Sequence, residues 1–197
     1  MIVYCGTSNR GKLREFQLAA LESGLGGVEI RAIEAPPPEE TGETFEQTAR
    51  EKALYYSGHS SAHTFVFADD SGLEVDALAG APGVYSARFA GPEATDQANN
   101  ALLLEKLRGV ENRTARFVCG IALVRDSAVV GTFRGTVEGR IIDTPRGSNG
   151  FGYDPLFYYE PFGCTFGEAT TAQKMGVSHR AQALEAMFSY LRGIAST

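Results

Sequence analysis

Apolar residues recur along this chain with two different periods, and the switches between them mark out its elements. Ile2-Val3-Tyr4-Cys5 reads as a buried strand, followed by a polar, glycine-flanked stretch from Gly6 to Lys12. Leu13, Phe16, Ala20 and Leu21 then fall on one face of a helix. Residues 28–33 alternate as a strand, and Ala35-Pro36-Pro37-Pro38 ends it, because proline cannot donate to a ladder. Thr44 and Gln47 have capping-box spacing ahead of a helix whose apolar face is Phe45, Ala49, Ala53 and Tyr56. Phe65-Val66-Phe67-Ala68 suits a fully buried strand. The pattern ends that strand at Asp69-Asp70, lets Ser71-Gly72 turn the chain, and makes residues 73–78 a separate short strand.

Thr95 is placed to cap the next helix, which carries Ala98, Leu102, Leu103, Leu104 and Leu107. A long apolar strand covers residues 114–124. From Gly131 to Ile141 apolar or glycine positions alternate strictly with polar ones, so one face is expected to be buried. Residues 124–128 join these two strands as a hairpin. The glycines at 131, 135 and 139 leave room for something to lie close against that face. Residues 156–159 read as the final strand, and the last helix opens at Ser178 and buries Ala181, Leu184, Phe188 and Leu191. Strands alternating with helices and then a hairpin predict an α/β fold with a mixed sheet.

Composition narrows the class. At 197 residues the chain can bury a sizeable core as one domain, 1–197, with two lobes allowed; no repeat, low-complexity tract or linker interrupts it. A net charge of −6 argues against non-specific duplex DNA as a partner, yet permits an anionic small molecule if cations cluster locally. Cys5, Cys119 and Cys164 show no metal or disulfide spacing, which fits a reducing cytoplasm. No secretory leader or membrane span is expected.

Three stretches carry candidate chemistry. Thr7-Ser8-Asn9-Arg10-Gly11-Lys12 lies between a strand and a helix N-terminus, an arrangement that binds phosphate through backbone N–H groups. It matches the phosphate-loop pattern G-x-x-x-x-G-K, except that Leu13 stands where a metal-binding hydroxyl belongs. Asp69 and Asp70 are hard oxygen ligands for Mg²⁺ or bases for water, and neighbours on a strand face opposite ways, so one of them is expected to face a ligand. Glu39-Glu40 gains interest only if it meets Asp70, and Lys52, one helical turn from Thr48, lies on a flank able to face a cleft. In Gly150-Phe151-Gly152-Tyr153-Asp154-Pro155 either Phe151 or Tyr153 has a face that can stack on a base. His179 and Arg180 occupy the first turn of the last helix, where cations oppose the dipole unless an anion or polar ligand compensates.

Taken together, Thr7 to Lys12, Glu39-Glu40-Thr41-Gly42, Ala68 to Leu73, Gly80 to Arg88, Gly150 to Pro155 and Ser178-His179-Arg180 resemble the noncanonical purine NTP pyrophosphatases, also called ITPases or dITP/XTP pyrophosphatases. The order of the blocks matches from first strand to last helix. One departure stands at Thr48-Ala49, where bacterial members often have Asn-Ala. The resemblance implies an elongated α/β fold with a long mixed sheet, flanking helices and two lobes around a central cleft, usually as a homodimer. It implies Mg²⁺-dependent hydrolysis of ITP, dITP and XTP to monophosphate and pyrophosphate. By the same resemblance Thr7, Ser8, Asn9, Arg10, Gly11 and Lys12 hold phosphate, and Asp70 is general base and metal ligand. Glu39 aligns best with the second metal carboxylate, with Glu40 the neighbouring candidate. Lys52, Ser71, Lys174 and the block Phe151, Gly152, Tyr153, Asp154 bind substrate, with His179 and Arg180 on the base. The alternatives are a P-loop-like NTPase or kinase, a Maf-type nucleotide pyrophosphatase and a non-catalytic nucleotide-binding regulator.

Overall fold

The computed structural model describes residues 1–22 and 28–195. In chain order the elements are β1 (Ile2–Cys5), α1 (Arg10–Glu22), β2 (Glu29–Ala32), α2 (Phe45–Ser57), β3 (Phe65–Val75), α3 (Asp96–Lys106), β4 (Thr114–Arg125), β5 (Ala128–Ile141), β6 (Phe157–Tyr159), β7 (Cys164–Thr165), α4 (Thr171–Met175) and α5 (His179–Ala195). The strands form one open sheet in the order β2-β1-β3-β4-β5-β6-β7. β1 runs parallel to β2 and β3, whereas β6 is antiparallel to β5 and β7, so the sheet is mixed as the pattern implied. No described helix is long and apolar enough to cross a membrane.

The chain divides into two compact units. The first comprises Met1–Asp70, Cys119–Gly135 and the stretch from His179 on; the second comprises Ser71–Val118 and Thr136–Ser178. In the first unit the period-two pattern of β3 builds two cores. Phe65 and Phe67 join Cys119, Ile121 and Leu123 against Phe16 and Ala20 of α1 and Leu184, Met187, Phe188 and Leu191 of α5. Val66 and Ala68 take the other face, with Ala49, Ala53 and Tyr56 of α2. Phe16 meets Phe67 edge to face at 5.2 Å between ring centroids. Truncating such a buried aromatic to alanine costs about 3–5 kcal/mol. Leu21 departs from the helical reading and is exposed. The second unit packs Leu73, Val75, Leu103, Leu107, Phe117, Val137, Ile141, Phe157 and Phe166 into a core of its own.

The hairpin is present as read, with Asp126 and Ser127 both at positive φ between β4 and β5, the backbone a two-residue primed turn requires. On β5, a Cβ at Gly135 would collide with the His179 carbonyl, so the protein's own α5 fills the room that glycine leaves.

Four local expectations are corrected. β3 does not stop at Asp69-Asp70: it continues through Ser71 and Gly72 to Val75. Gly72 serves close approach instead of a turn, since a Cβ there would strike Ser86 and the Gly83 carbonyl, and Ser86 Oγ accepts the Leu73 N–H at 2.9 Å. The chain turns later, at Ala79 and Gly80, where φ is positive. Only half of the capping box at α2 forms: Thr44 accepts from the Gln47 N–H, but the Gln47 side chain accepts from Glu43. The complete box lies at Thr170 and Gln173, opening α4, which the apolar pattern missed because the helix is only five residues long. β6 is followed by the two-residue strand β7, so it is not the last strand.

Candidate active site

In the first unit, β1 delivers the chain into the loop before α1. Asn9 caps that helix: its Oδ1 accepts the Lys12 N–H at 3.0 Å, and its own N–H donates to Thr7 Oγ1 at 3.2 Å. Ser8, Asn9 and Arg10 are exposed, while Thr7, Gly11 and Lys12 are half-buried. Lys12 reaches Asp69 with its Nζ 2.8 Å from Oδ2, which offsets the cost of a cation at a helix N-terminus. Leu13 packs against the core where a P-loop enzyme needs a hydroxyl, which removes the main support for that alternative.

Because β3 continues through them, Asp69 and Asp70 are buried on opposite faces of a strand. Asp69 shares its face with Lys12 and Arg180, whose Nε lies 4.0 Å from Oδ2. Arg180 is also ion-paired to Glu15 of α1. These carboxylates are the anions that the first turn of α5 required. Burial works to raise the pKa of Asp69, but Lys12 foremost, then Arg180 and Lys52, hold it below its ordinary value. Burial by itself would lower the pKa of Arg180, yet Glu15 and Asp69 raise it.

Asp70 stands differently. Its nearest cation is Lys52 of α2, 3.9 Å from Oδ1, and Lys52 is itself 3.0 Å from Glu40. Burial is the largest influence and pushes the Asp70 pKa up to about 7, with Asp69 and Glu40 adding to the rise and Lys12 and Lys52 resisting it. Its Oδ2 is buried with no hydrogen-bond partner among the described residues. Lys52 is kept charged: burial opposes this, but Asp69, Glu40 and Asp70 raise its pKa.

Of the two glutamates, the structure brings Glu40 to Lys52 and leaves Glu39 exposed. An orphaned carboxylate oxygen on Asp70, with Glu40 on the shared lysine, is a donor set that suits a hard divalent cation. Among the described residues no three His, Cys, Asp or Glu side chains gather closely enough to hold an ion by themselves. Mg²⁺ fits such a site, because it commonly keeps water and substrate phosphate in its shell.

The second unit holds the aromatic loop. Asp154 is buried, and its Oδ2 accepts both the Phe151 N–H at 2.9 Å and Lys174 Nζ at 2.6 Å. Lys174 Nζ lies 5.0 Å from the Phe151 ring centroid. Tyr153 is buried in the core and donates its hydroxyl to the Ser86 carbonyl at 2.8 Å. Of the two aromatics the loop offers, Tyr153 is committed to the core, whereas Phe151 is half-buried. Ser71 is half-buried on β3. His179, in the first unit, is buried at the start of α5.

Sequence reasoning missed Glu15, which lies in a helix pattern that reads as an ordinary charged flank. No local signal marks it, since its partner Arg180 is 165 residues away. The same reasoning weighed Asp69 only as the alternative to Asp70 and did not foresee its pairing with Lys12 and Arg180.

A mixed open sheet with a buried carboxylate pair, each member facing a lysine, defines an α/β protein with a buried charged cluster on its central strand. The chain matches the model of the Ham1 family over residues 3–190, and it belongs to that family. It is 52% identical over 191 residues to a dITP/XTP pyrophosphatase of Exiguobacterium sp. strain AT1b, covering 93% of each chain. It is 42% identical to the dITP/XTP pyrophosphatase of Acidobacterium capsulatum, covering 98% of this chain and 99% of that one. Among solved structures it resembles a HAM1 protein from Coxiella burnetii with a TM-score of 0.86 at 37% identity, over 98% and 99% of the two chains.

Proposed function

We propose that this protein hydrolyses noncanonical purine nucleoside triphosphates (ITP, dITP, XTP) to the monophosphate and pyrophosphate. The single observation that carries the reading is Asp70, a buried carboxylate with one unpartnered oxygen that is free to take a proton or a cation and whose pKa in the metal-free protein is raised to about 7, in a family whose relatives are named for this activity.

In this mechanism Asp70 takes the proton from a water that attacks the α-phosphorus. A new P–O bond forms, the bond to the bridging oxygen breaks, and pyrophosphate leaves. Mg²⁺ held by Asp70 and Glu40 supplies charge neutralisation at the phosphates when bound. The exposed end of the Thr7-to-Lys12 loop receives phosphate oxygens, and Lys12 and Lys52 balance a substrate of roughly four negative charges. Asp69 orients Lys12 without reacting. In the second unit, Phe151 offers its ring to the base, with Lys174 and Asp154 fixing the loop around it.

His179 and Arg180 are assigned to the base by the resemblance. A guanidinium held by Glu15 and Asp69 is an oriented donor, and inosine and xanthine offer an acceptor O6 where adenine offers an amine. A buried donor left facing the amine costs about 1–3 kcal/mol, roughly ten- to hundred-fold in selection.

The reading includes residues 1–197 acting as one domain of this type, a homodimer, and residence in the cytoplasm; sedimentation tests the dimer. Product analysis after incubation with ITP and Mg²⁺ tests the reaction. IMP with pyrophosphate is expected, and IDP with orthophosphate would overturn it.

A further inference from the structure

The aromatic loop of the second unit is gripped from two sides, by Asp154 on one and by α3 on the other. Phe151 stands between Gly150 and Gly152, which have φ of +73° and +63°. A Cβ on Gly152 would meet nothing within 4 Å, so glycine is present there for its backbone conformation and not for space. Two such residues flanking one aromatic leave the Phe151 backbone many alternatives in a free chain, and something must select one. Asp154 fixes the near side by accepting the Phe151 N–H.

The far side is fixed by α3. The Gly152 N–H donates to Asp96 Oδ2 at 2.7 Å, and Asn100 Nδ2 donates to the Gly152 carbonyl at 3.0 Å. Residues 96 and 100 are one helical turn apart, so a single face of α3 takes both polar groups of one peptide residue. The orientation of the Asn100 amide is determined by chemistry: turned over, it would set its own oxygen against the Gly152 carbonyl. As placed, its Oδ1 is buried with no hydrogen-bond partner among the described residues. The helix is a firm support. Thr95 caps it, Asn99 accepts from the Ala90 N–H and donates to the Ala87 carbonyl, and Leu103 is buried in the core. Asp96 in the first turn is also favoured by the helix dipole.

We propose that Asp96 and Asn100 are positioning residues that hold the Gly152 peptide, and through it the Phe151 ring, in the orientation that receives the purine base. The inference rests on the reading of Phe151 as a base contact. Neither residue touches substrate; both act by removing the alternatives that two left-handed glycines would otherwise give the loop.

The experiment compares Asp96→Ala, Asp96→Asn, Asn100→Asp and Phe151→Ala, measuring kcat and KM for ITP together with thermal stability. Asn100→Asp keeps the size, exchanges the donor for an acceptor and adds a charge; Asp96→Asn keeps an acceptor oxygen. Asp96→Ala should raise KM for ITP about three- to ten-fold, the equivalent of one ordinary hydrogen bond, and Asn100→Asp at least as much because its carboxylate also repels the Gly152 carbonyl, with kcat within about two-fold in both. Asp96→Asn should restore most of what Asp96→Ala loses. An unchanged KM in Asp96→Ala and Asn100→Asp, beside a raised KM in Phe151→Ala, overturns the inference alone. Parallel losses in kcat and stability without a KM effect overturn it in favour of a merely structural role. An unchanged KM in Phe151→Ala overturns the base-contact reading itself, and the inference with it.

Discussion

Asp69 and Asp70 are adjacent in sequence, identical in chemistry and both buried, yet the two faces of β3 treat them in opposite ways. On one face Lys12 and Arg180 surround Asp69, and its carboxyl is held below the ordinary range. On the other, Asp70 has Lys52 only at 3.9 Å, an oxygen without a partner, and a pKa pushed up to about 7. Desolvation is the first influence on both; what differs is how closely opposite charge approaches. A carboxylate whose charge is already matched is a structural anchor for cations. One whose charge is not matched is ready to accept a proton or a metal ion.

The comparison is most severely tested by removing the matched charge. Asp69→Asn takes the common anion from half-buried Lys12 and from buried Arg180, which keeps Glu15, and loss of one partner of a buried ion pair costs about 3–5 kcal/mol. A large fall in chemical-denaturation stability is expected. A variant as stable as the parent would show that Asp69 is not the anchor.

Asp70→Asn should do the reverse, lowering turnover at least ~10²-fold, the usual contribution of a general base, while leaving the fold intact. Steady-state rates and an unfolding curve on the same preparation check both halves. Full turnover in Asp70→Asn would assign the base elsewhere.

Opposite pH signatures follow in the metal-free protein. The folded pKa of Asp70, about 7, lies above its unfolded value of 3.8, so the folded state holds an extra proton between them. Stability from this group is complete below about pH 4 and drains as pH rises through 7, by at most about 1.4 kcal/mol per pH unit. Asp69, with its folded pKa lowered, contributes stability above its unfolded value that is lost as pH falls through the folded one. Denaturation midpoints across pH should lose the slope between about pH 4 and 7 in Asp70→Asn, and Mg²⁺ should flatten it in the parent. A slope unaltered by the substitution would trace it to another group.

The smallest expected effect separates the two glutamates. Glu40→Gln should raise the Mg²⁺ concentration needed for half-maximal activity about ten-fold, near 1.4 kcal/mol, whereas exposed Glu39→Gln should change it less than about two-fold. The converse result in a Mg²⁺ titration would return the second carboxylate to Glu39.

Much of the architecture was legible because its cause is local. Continuous apolar runs mark β1, β3 and β4, period-two alternation marks β2 and β5, period 3.6 marks α1, α2, α3 and α5, and each pattern follows from backbone geometry that a short window contains. The residue types of the charged cluster were visible for the same reason. What each of them does was not. The extension of β3 past Gly72 depends on Ser86 meeting it from fourteen residues away along the chain. The choice of Phe151 over Tyr153 depends on the Ser86 carbonyl, 67 residues from Tyr153. Arg180 takes Glu15 across 165 residues, and Asp69 differs from Asp70 only by which cations the fold brings to each face. Hydrophobic periodicity is a property of one segment, whereas burial, ion pairing and pKa are set by neighbours in space, and only tertiary structure supplies those.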